Sequence, residues 1–457
     1  MATLREIETW LQDRLAALLA EHQVPGAAVG VLHGGTTIDH AAGVLSRATG
    51  VETTTESVFQ IGSITKVWTT SLVMQLADEG KLDLDRPVRS YLPEFVIADE
   101  TAAAAITTRQ LLDHTAGFEG DIFNETGKGD DAVEKFVATL SEVTQLFPPG
   151  EMFSYNNAGF AVLGRLVEVL RGTSYDAALR EHLFTPLGLA HAATDPYEAI
   201  LHRAAVGHIR PEPDAEPVPA PMWAMTRGMA PAGAMLALSA RDLLAFAKLH
   251  LDGGGDVLSA ASVRAMQEPQ VKLPALGMMG ESWGLGWELF DWDGTRVIGH
   301  DGGTIGQSAF LRVVPEHGLA VALLTNGGDT VEVYKAVFDH VIRELAGLEL
   351  PALPSPPAEP VPVDVERMLG TYSCEVMDVT VRRDHDGKLW LDQTMKGILA
   401  ELGPKPDPVE LVGRAADSLI TVKVENGVHQ PYVFVGDDGS GHARYVHSGR
   451  AIRRADA

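Results

Sequence analysis

Gly62-Ser63-Ile64-Thr65-Lys66 is the stretch on which the reading of this chain turns. The residues after it predict a helix over 67–79 that stops at Gly80, so Gly62 makes a tight entry and the helix begins at or just after Ser63. Ser63 and Lys66 then stand one turn apart on one helix face. That spacing puts an amine within hydrogen-bond reach of a hydroxyl, and the positive end of the helix favours alkoxide-like charge on Ser63. A helix N-cap followed by a solvated lysine shows the same pattern, so the stretch needs partners elsewhere.

Two further stretches supply them. Phe153-Ser154-Tyr155-Asn156-Asn157 follows Pro148-Pro149-Gly150, and in an extended segment Tyr155 and Asn157 project to one side. A phenol and an amide so placed can pass a proton and fix a substrate dipole. A turn tyrosine beside an Asn helix cap is the plainer alternative. Gly299-His300-Asp301-Gly302-Gly303 ends a predicted strand. Its glycines let an acyl group lie against the backbone, and a glycine amide there can supply half of an oxyanion hole; a glycine-rich turn with a surface histidine would read alike. Other chemistries lack their residues. There is no G-x-S-x-G elbow, no His-Glu-x-x-His pairing among 16 histidines, no Walker loop and no dinucleotide fingerprint. No metal and no cofactor is expected.

Together and in this order, the three stretches resemble the serine β-lactamase and penicillin-binding-protein superfamily, in its class C and S12-peptidase branch. Gly80-Lys81-Leu82-Asp83-Leu84-Asp85-Arg86-Pro87-Val88, Leu111-Leu112-Asp113-His114-Thr115-Ala116-Gly117 and Pro231-Ala232-Gly233 match that branch too. The resemblance implies an α/β (α+β) catalytic domain, an antiparallel sheet flanked by helices plus a helical subdomain. It implies that Ser63 attacks an ester, thioester or amide carbonyl and that Tyr155, Lys66 or the pair takes the proton. Asn157 would hold Lys66 and the substrate amide, His300 would join the catalytic set, and Asp301 and Gly302 would line the substrate. The backbone amides of Ser63 and Gly303 would form the oxyanion hole, worth about 3–4 kcal/mol per donor. Water, an amine or an alcohol would release the acyl group. One departure matters: His300 stands where β-lactamases carry a lysine. A histidine of pKa near ~6.5 is mostly neutral at pH 7, so weak or no β-lactam hydrolysis is expected.

Outside these motifs, helices are predicted at 159–170 and after Ser239. Strands are predicted at 27–32, 37–40, 296–298, 309–314 and 319–324, the last pair joined by a Pro315-Glu316-His317-Gly318 turn. Strands at both ends with helices between suggest one sheet that unites the two ends of the domain. Pro351, Pro354, Pro356, Pro357, Pro360 and Pro362 then mark a stiff linker. Beyond it, short strands at 371–374, 379–383, 388–393, 419–424, 432–435 and 444–446 are punctuated by Asp386-Gly387, Asn426-Gly427 and Asp438-Gly439. They predict a small antiparallel β-barrel. Its strand pattern and Gly449-Arg450 ending resemble the lipocalin-like domain of some family members. The division is therefore a catalytic domain at 1–350, a linker at 351–362 and a β-domain at 363–457. Arg444, Arg450, Arg453 and Arg454 read as solvated strand-end residues, with a carboxylate-binding role as the alternative.

Composition restricts the partners. With 36 basic against 62 acidic residues, the net charge of −26 repels nucleic acid and anionic lipid, so neither is expected as a partner. Cys374 stands alone, which excludes an intrachain disulfide. Leu4, Ile7, Leu11, Leu15 and Leu18 follow helical spacing between charged residues, unlike a signal peptide, so a cytoplasmic protein is expected. The expected function is a serine acyl-enzyme hydrolase or acyltransferase acting on a small-molecule or peptide acyl donor, one containing a D-amino acid. One alternative is a penicillin-binding-protein-type thioesterase that releases and macrocyclises a nonribosomal peptide held as a thioester on a carrier protein. A silent acyl-binding sensor and a cell-wall transpeptidase are the others. The oligomeric state is left open by the sequence.

Overall fold

In the computed structural model, residues 2–212, 215–397, 400, 406–424 and 427–455 are described; Asn426 of the expected 426–427 turn lies outside them. Helix α1 (Leu4–Glu21) starts at a Thr3–Glu6 capping box, in which each side chain satisfies the other residue's backbone N–H. Strands β1 (Gly26–His33) and β2 (Thr36–Gly43) follow it. Late in the domain come β3 (Val271–Lys272), β4 (Ser282–Trp283), β5 (Glu288–Trp292), β6 (Thr295–Thr304), β7 (Gln307–Val314) and β8 (Leu319–Thr325). They form one antiparallel sheet in the order β2-β1-β8-β7-β6-β5-β4-β3. The sheet thus joins the two ends of the domain, and the Asn326 side chain accepts the Gly26 N–H across 300 residues of sequence.

Helices cover both faces. Alternate residues of a strand point to opposite sides, so Val29, Val321 and Leu323 meet α1 (Leu11, Leu15) and α5 (Thr330–Ala346; Val337, Val341). On the other face Ala28, Leu311 and Leu324 share a core with α2 (Thr65–Asp78; Trp68, Leu72), α3 (Asn157–Arg171; Leu163, Leu166) and α4 (Ala240–Leu251; Leu243, Leu244). Helix α2 is buried from Thr65 through Leu76, which makes it a central core helix rather than a surface one. Two boundaries differ from the sequence reading. A 3-10 turn, Gly62–Ile64, precedes α2. Helix α3 begins at Asn157, so Tyr155 and Asn157 do not share one extended segment; Asn156 is the cap, its side chain accepting the Gly159 N–H at 2.7 Å.

No regular element lies between α5 and a short helix at Val365–Met368. Beyond it, β9 (Gly370–Ser373), β10 (Met377–Arg383), β11 (Leu389–Met395), β12 (Val409–Ala415), β13 (Ser418–Thr421), β14 (Pro431–Val435), β15 (Tyr445–His447) and β16 (Ala451–Arg454) close into an antiparallel barrel, β16 pairing back onto β9. Tyr372, Val381, Leu391, Leu411 and Phe434 pack in its core. Strands β12 and β16 escape sequence reading because Gly413 and a bulge interrupt the alternation of one and Arg453 and Arg454 charge the other. No helix among the described residues is long and apolar enough to cross a membrane.

Candidate active site

The end of β6 lies flush against the start of α2. Gly62 has φ +50°, and a Cβ there would sit 2.6 Å from the Gly303 nitrogen. One at Gly302 would sit 1.9 Å from the Ile61 oxygen and 3.0 Å from the Ser63 nitrogen. Only glycine permits this approach, and it brings the backbones of Ser63 and Gly303 together at a partly open surface.

Lys66 is fully buried beside them. Its Nζ donates to Ser63 Oγ at 3.1 Å and to the Ala232 carbonyl at 2.6 Å, and stands 4.8 Å from the centre of the Tyr155 ring. Burial holds its pKa well below that of an ordinary lysine; the Arg450 cation adds to this and Asp121 opposes it. The amine is therefore poised to take a proton.

Tyr155 is 9 % exposed, and its hydroxyl reaches no hydrogen bond of full geometry among the described residues. Burial raises its pKa, against weaker pulls from Ser63 and Arg450. The phenol therefore stays protonated at neutral pH. His114 clamps its neighbours: the His114 carbonyl accepts the Ser154 N–H at 2.9 Å, and its Nδ1 accepts the Asn156 N–H at 2.9 Å. The buried imidazole stacks on the Tyr155 ring at 4.4 Å from a backbone with φ +62°, a conformation costly for a non-glycine residue. Burial holds it neutral, so the proton sits on Nε2.

The barrel grips the same segment from the other side. Gly449 accepts the Tyr155 N–H at 3.0 Å, His447 Nε2 donates to the Phe153 carbonyl at 2.8 Å, and the Ala451 N–H donates to Ser154 Oγ at 3.1 Å. The turn between β15 and β16 thus brings Arg450 over the Tyr155 ring, 5.0 Å from its centre. Its side chain is 43 % exposed and is ion-paired with the buried Asp121.

His300 is buried, its Nδ1 donating to the Asp301 carbonyl at 2.6 Å, which leaves Nε2 as an unpartnered acceptor among the described residues. Burial first, then the Lys66 charge, lowers its pKa to about 3, so it is neutral at every physiological pH. Two expected contacts are redirected. The Asp301 carboxylate points to the opposite face of β6 from His300 and is held by Arg312 Nη1 and Nη2 at 2.5 and 3.0 Å, so it does not line the substrate face. Asn157, placed on the first turn of α3, donates to Asp121 Oδ1 at 2.8 Å and not to Lys66. The sequence thus points to Ser63, Lys66, Tyr155, His300, Gly302 and Gly303, which the fold assembles. It missed His114, inside the quoted 111–117 motif but with nothing to mark its backbone; Arg450 read as one of four solvated strand-end arginines, with carboxylate binding as the alternative.

The family model for Beta-lactamase matches residues 11–343. Penicillin-binding protein 4 of Amycolatopsis lactamdurans is 47% identical over 371 residues, 80% of this chain and 97% of that protein. Unguisins hydrolase ungD' of Aspergillus campestris is 26% identical over 317 residues, 66% of this chain and 58% of that protein. The solved structure of SurE superposes with a TM-score of 0.81 at 28% identity, covering 99% of this chain and 100% of that one. With the site geometry, these likenesses show that the chain belongs to the β-lactamase and penicillin-binding-protein family of serine hydrolases.

Proposed function

We propose that the protein forms an acyl-enzyme on Ser63 from an amide, ester or thioester of a small peptide containing a D-residue, and passes the acyl group to water or an amine. The observation that carries this reading is the buried Lys66 Nζ, 3.1 Å from Ser63 Oγ, with its pKa pushed down. Lys66 takes the Ser63 proton as the Oγ–C bond forms. The backbone amides of Ser63 and Gly303 receive the oxyanion. Collapse expels the leaving group, protonated from Lys66 through the Tyr155 hydroxyl, and the incoming water or amine retraces the path. Asp121, held by Asn157, fixes Arg450 as a hydrogen-bond donor to a substrate carbonyl, and His300, which is uncharged, offers no cation to a substrate carboxylate. The D-configuration is supported by a structural relative, SurE, which has been solved with D-Leu.

Thioester release with macrocyclisation is the second reading, favoured by the barrel turn that walls one side of the site and would screen an acyl-enzyme from water. A panel of peptide esters tests the first. An ester ending in D-phenylalanine is expected to turn over at least about tenfold faster than its L-counterpart, and cephalosporins hardly at all. Equal rates for the two enantiomers, or a cephalosporin as the better substrate, would refute it. With a D-ended peptidyl thioester, cyclic product would favour the second reading and linear acid the first.

A further inference from the structure

Beyond the nucleophile, the seam between the two domains is hollow. A chamber of about 540 Å3 opens beside Tyr155 and Arg450 and reaches the barrel mouth at Val379, Tyr432 and Ile452. An outer crevice of about 710 Å3 continues it between residues 139–146 and the barrel. Glu119, Asp121, Phe123, Cys374 and Val376 line both, so they form the neck between them.

Charge at this neck is one-sided. Asp121 is neutralised by Arg450. Glu119 is half-buried and receives backbone N–H groups, from Gly120 at 3.2 Å, from Glu375 at 3.4 Å and from Asp121; no cation forms an ion pair with it among the described residues, and Arg450 acts on it only at longer range. Lys396, Arg453 and Arg454 are confined to the outer crevice, where Asp378 holds Lys396 and barrel carbonyls hold Arg454. A carboxylate partly withdrawn from water and without an ion-pair partner is costly, and a charge-assisted hydrogen bond from a ligand lowers that cost. Burial and repulsion from Asp121 raise the Glu119 pKa, a strain that a bound cation relieves. Tyr155 lines the same chamber, which places the neck next to the catalytic phenol. Apolar walls at Phe123, Val376 and Val379 suit the aliphatic part of such a ligand.

We infer that Glu119 anchors a primary-ammonium subsite at this neck, filled by the N-terminal α-ammonium or a lysine-type side chain of the peptide whose acyl group is transferred to Ser63. The inference rests on the peptide-acyl reading above. Its test is equilibrium binding to the full-length Ser63→Ala protein, which needs no turnover. Three tripeptides serve as probes: Ala-Ala-D-Phe with a free amino terminus, its N-acetyl form, and the N-acetyl form with lysine as the middle residue. At least one ammonium-bearing peptide is expected to bind about tenfold tighter than N-acetyl-Ala-Ala-D-Phe. Which one does so tells the α-amine from the side chain. The advantage should vanish when Glu119→Gln is added. Equal affinity of all three, no binding by any, or an advantage that survives in the Glu119→Gln protein would overturn the subsite. The comparison among ligands on the unaltered neck stands even if Glu119→Gln fails to fold. Acylation of Ser63 by a small activated ester needs no ammonium, so its absence would count against the acyl-enzyme reading alone.

Discussion

Lys66 has two acceptors, Ser63 Oγ and the Ala232 carbonyl, and it faces a phenol held protonated by burial. A lysine in that position is useful as a base only when neutral. Burial and the Arg450 cation both push its pKa down, so acylation should rise with pH through a pKa lower than an ordinary lysine's. Removing the cation with Arg450→Gln lets the Lys66 pKa rise. The ascending limb of the acylation pH profile should therefore move to higher pH, measured with a neutral activated ester that Arg450 does not need to bind. A limb that stays in place or moves to lower pH would detach Arg450 from the proton-transfer step.

The meeting of β6 with the start of α2 depends on bare backbone. Strand β6 is paired with β5 up to Gly299 and with β7 as far as Thr304, which holds Gly302 in place against a Cβ that would lie 1.9 Å from the Ile61 carbonyl. Gly302→Ala should displace the Ser63–Gly303 pair of amides and lower kcat for ester hydrolysis about a hundredfold or more, the scale of losing an oxyanion donor. An unchanged kcat in the folded variant would show that the two amides do not act together. At this scale the sequence was readable where one element carries its own signal: α1 by its apolar spacing, α2 by the Gly62–Gly80 bracket, and β7 and β8 by the turn between them. Helix α3 starts at Asn157, two residues before the predicted 159, because Asn156 takes the cap, so Asn157 lies on the helix and not in the extended segment with Tyr155. Asp301 was misread because a strand sends alternate side chains to opposite faces, and Arg312, its partner, lies on the neighbouring strand.

In the whole molecule, the catalytic segment is held between two domains. His114 fixes the N–H groups flanking Tyr155 from within the catalytic domain, and Gly449 takes the N–H of Tyr155 itself from the barrel. The site is thus composite, with its cation and part of its wall supplied from nearly 300 residues downstream of Tyr155. No local pattern encodes such a contact, which is why Arg450 read as one strand-end arginine among four. The excess of acidic residues gains a local meaning at the neck of the interdomain channel, where Glu119 forms no ion pair among the described residues. The central claim is that the assembled centre makes Ser63 a nucleophile. Intact-protein mass spectrometry of the folded chain with a fluorophosphonate tests it most directly. A single adduct that maps to Ser63 is expected, absent from the Ser63→Ala and Lys66→Ala proteins. A folded, unlabelled chain, or an adduct on another residue, would contradict it.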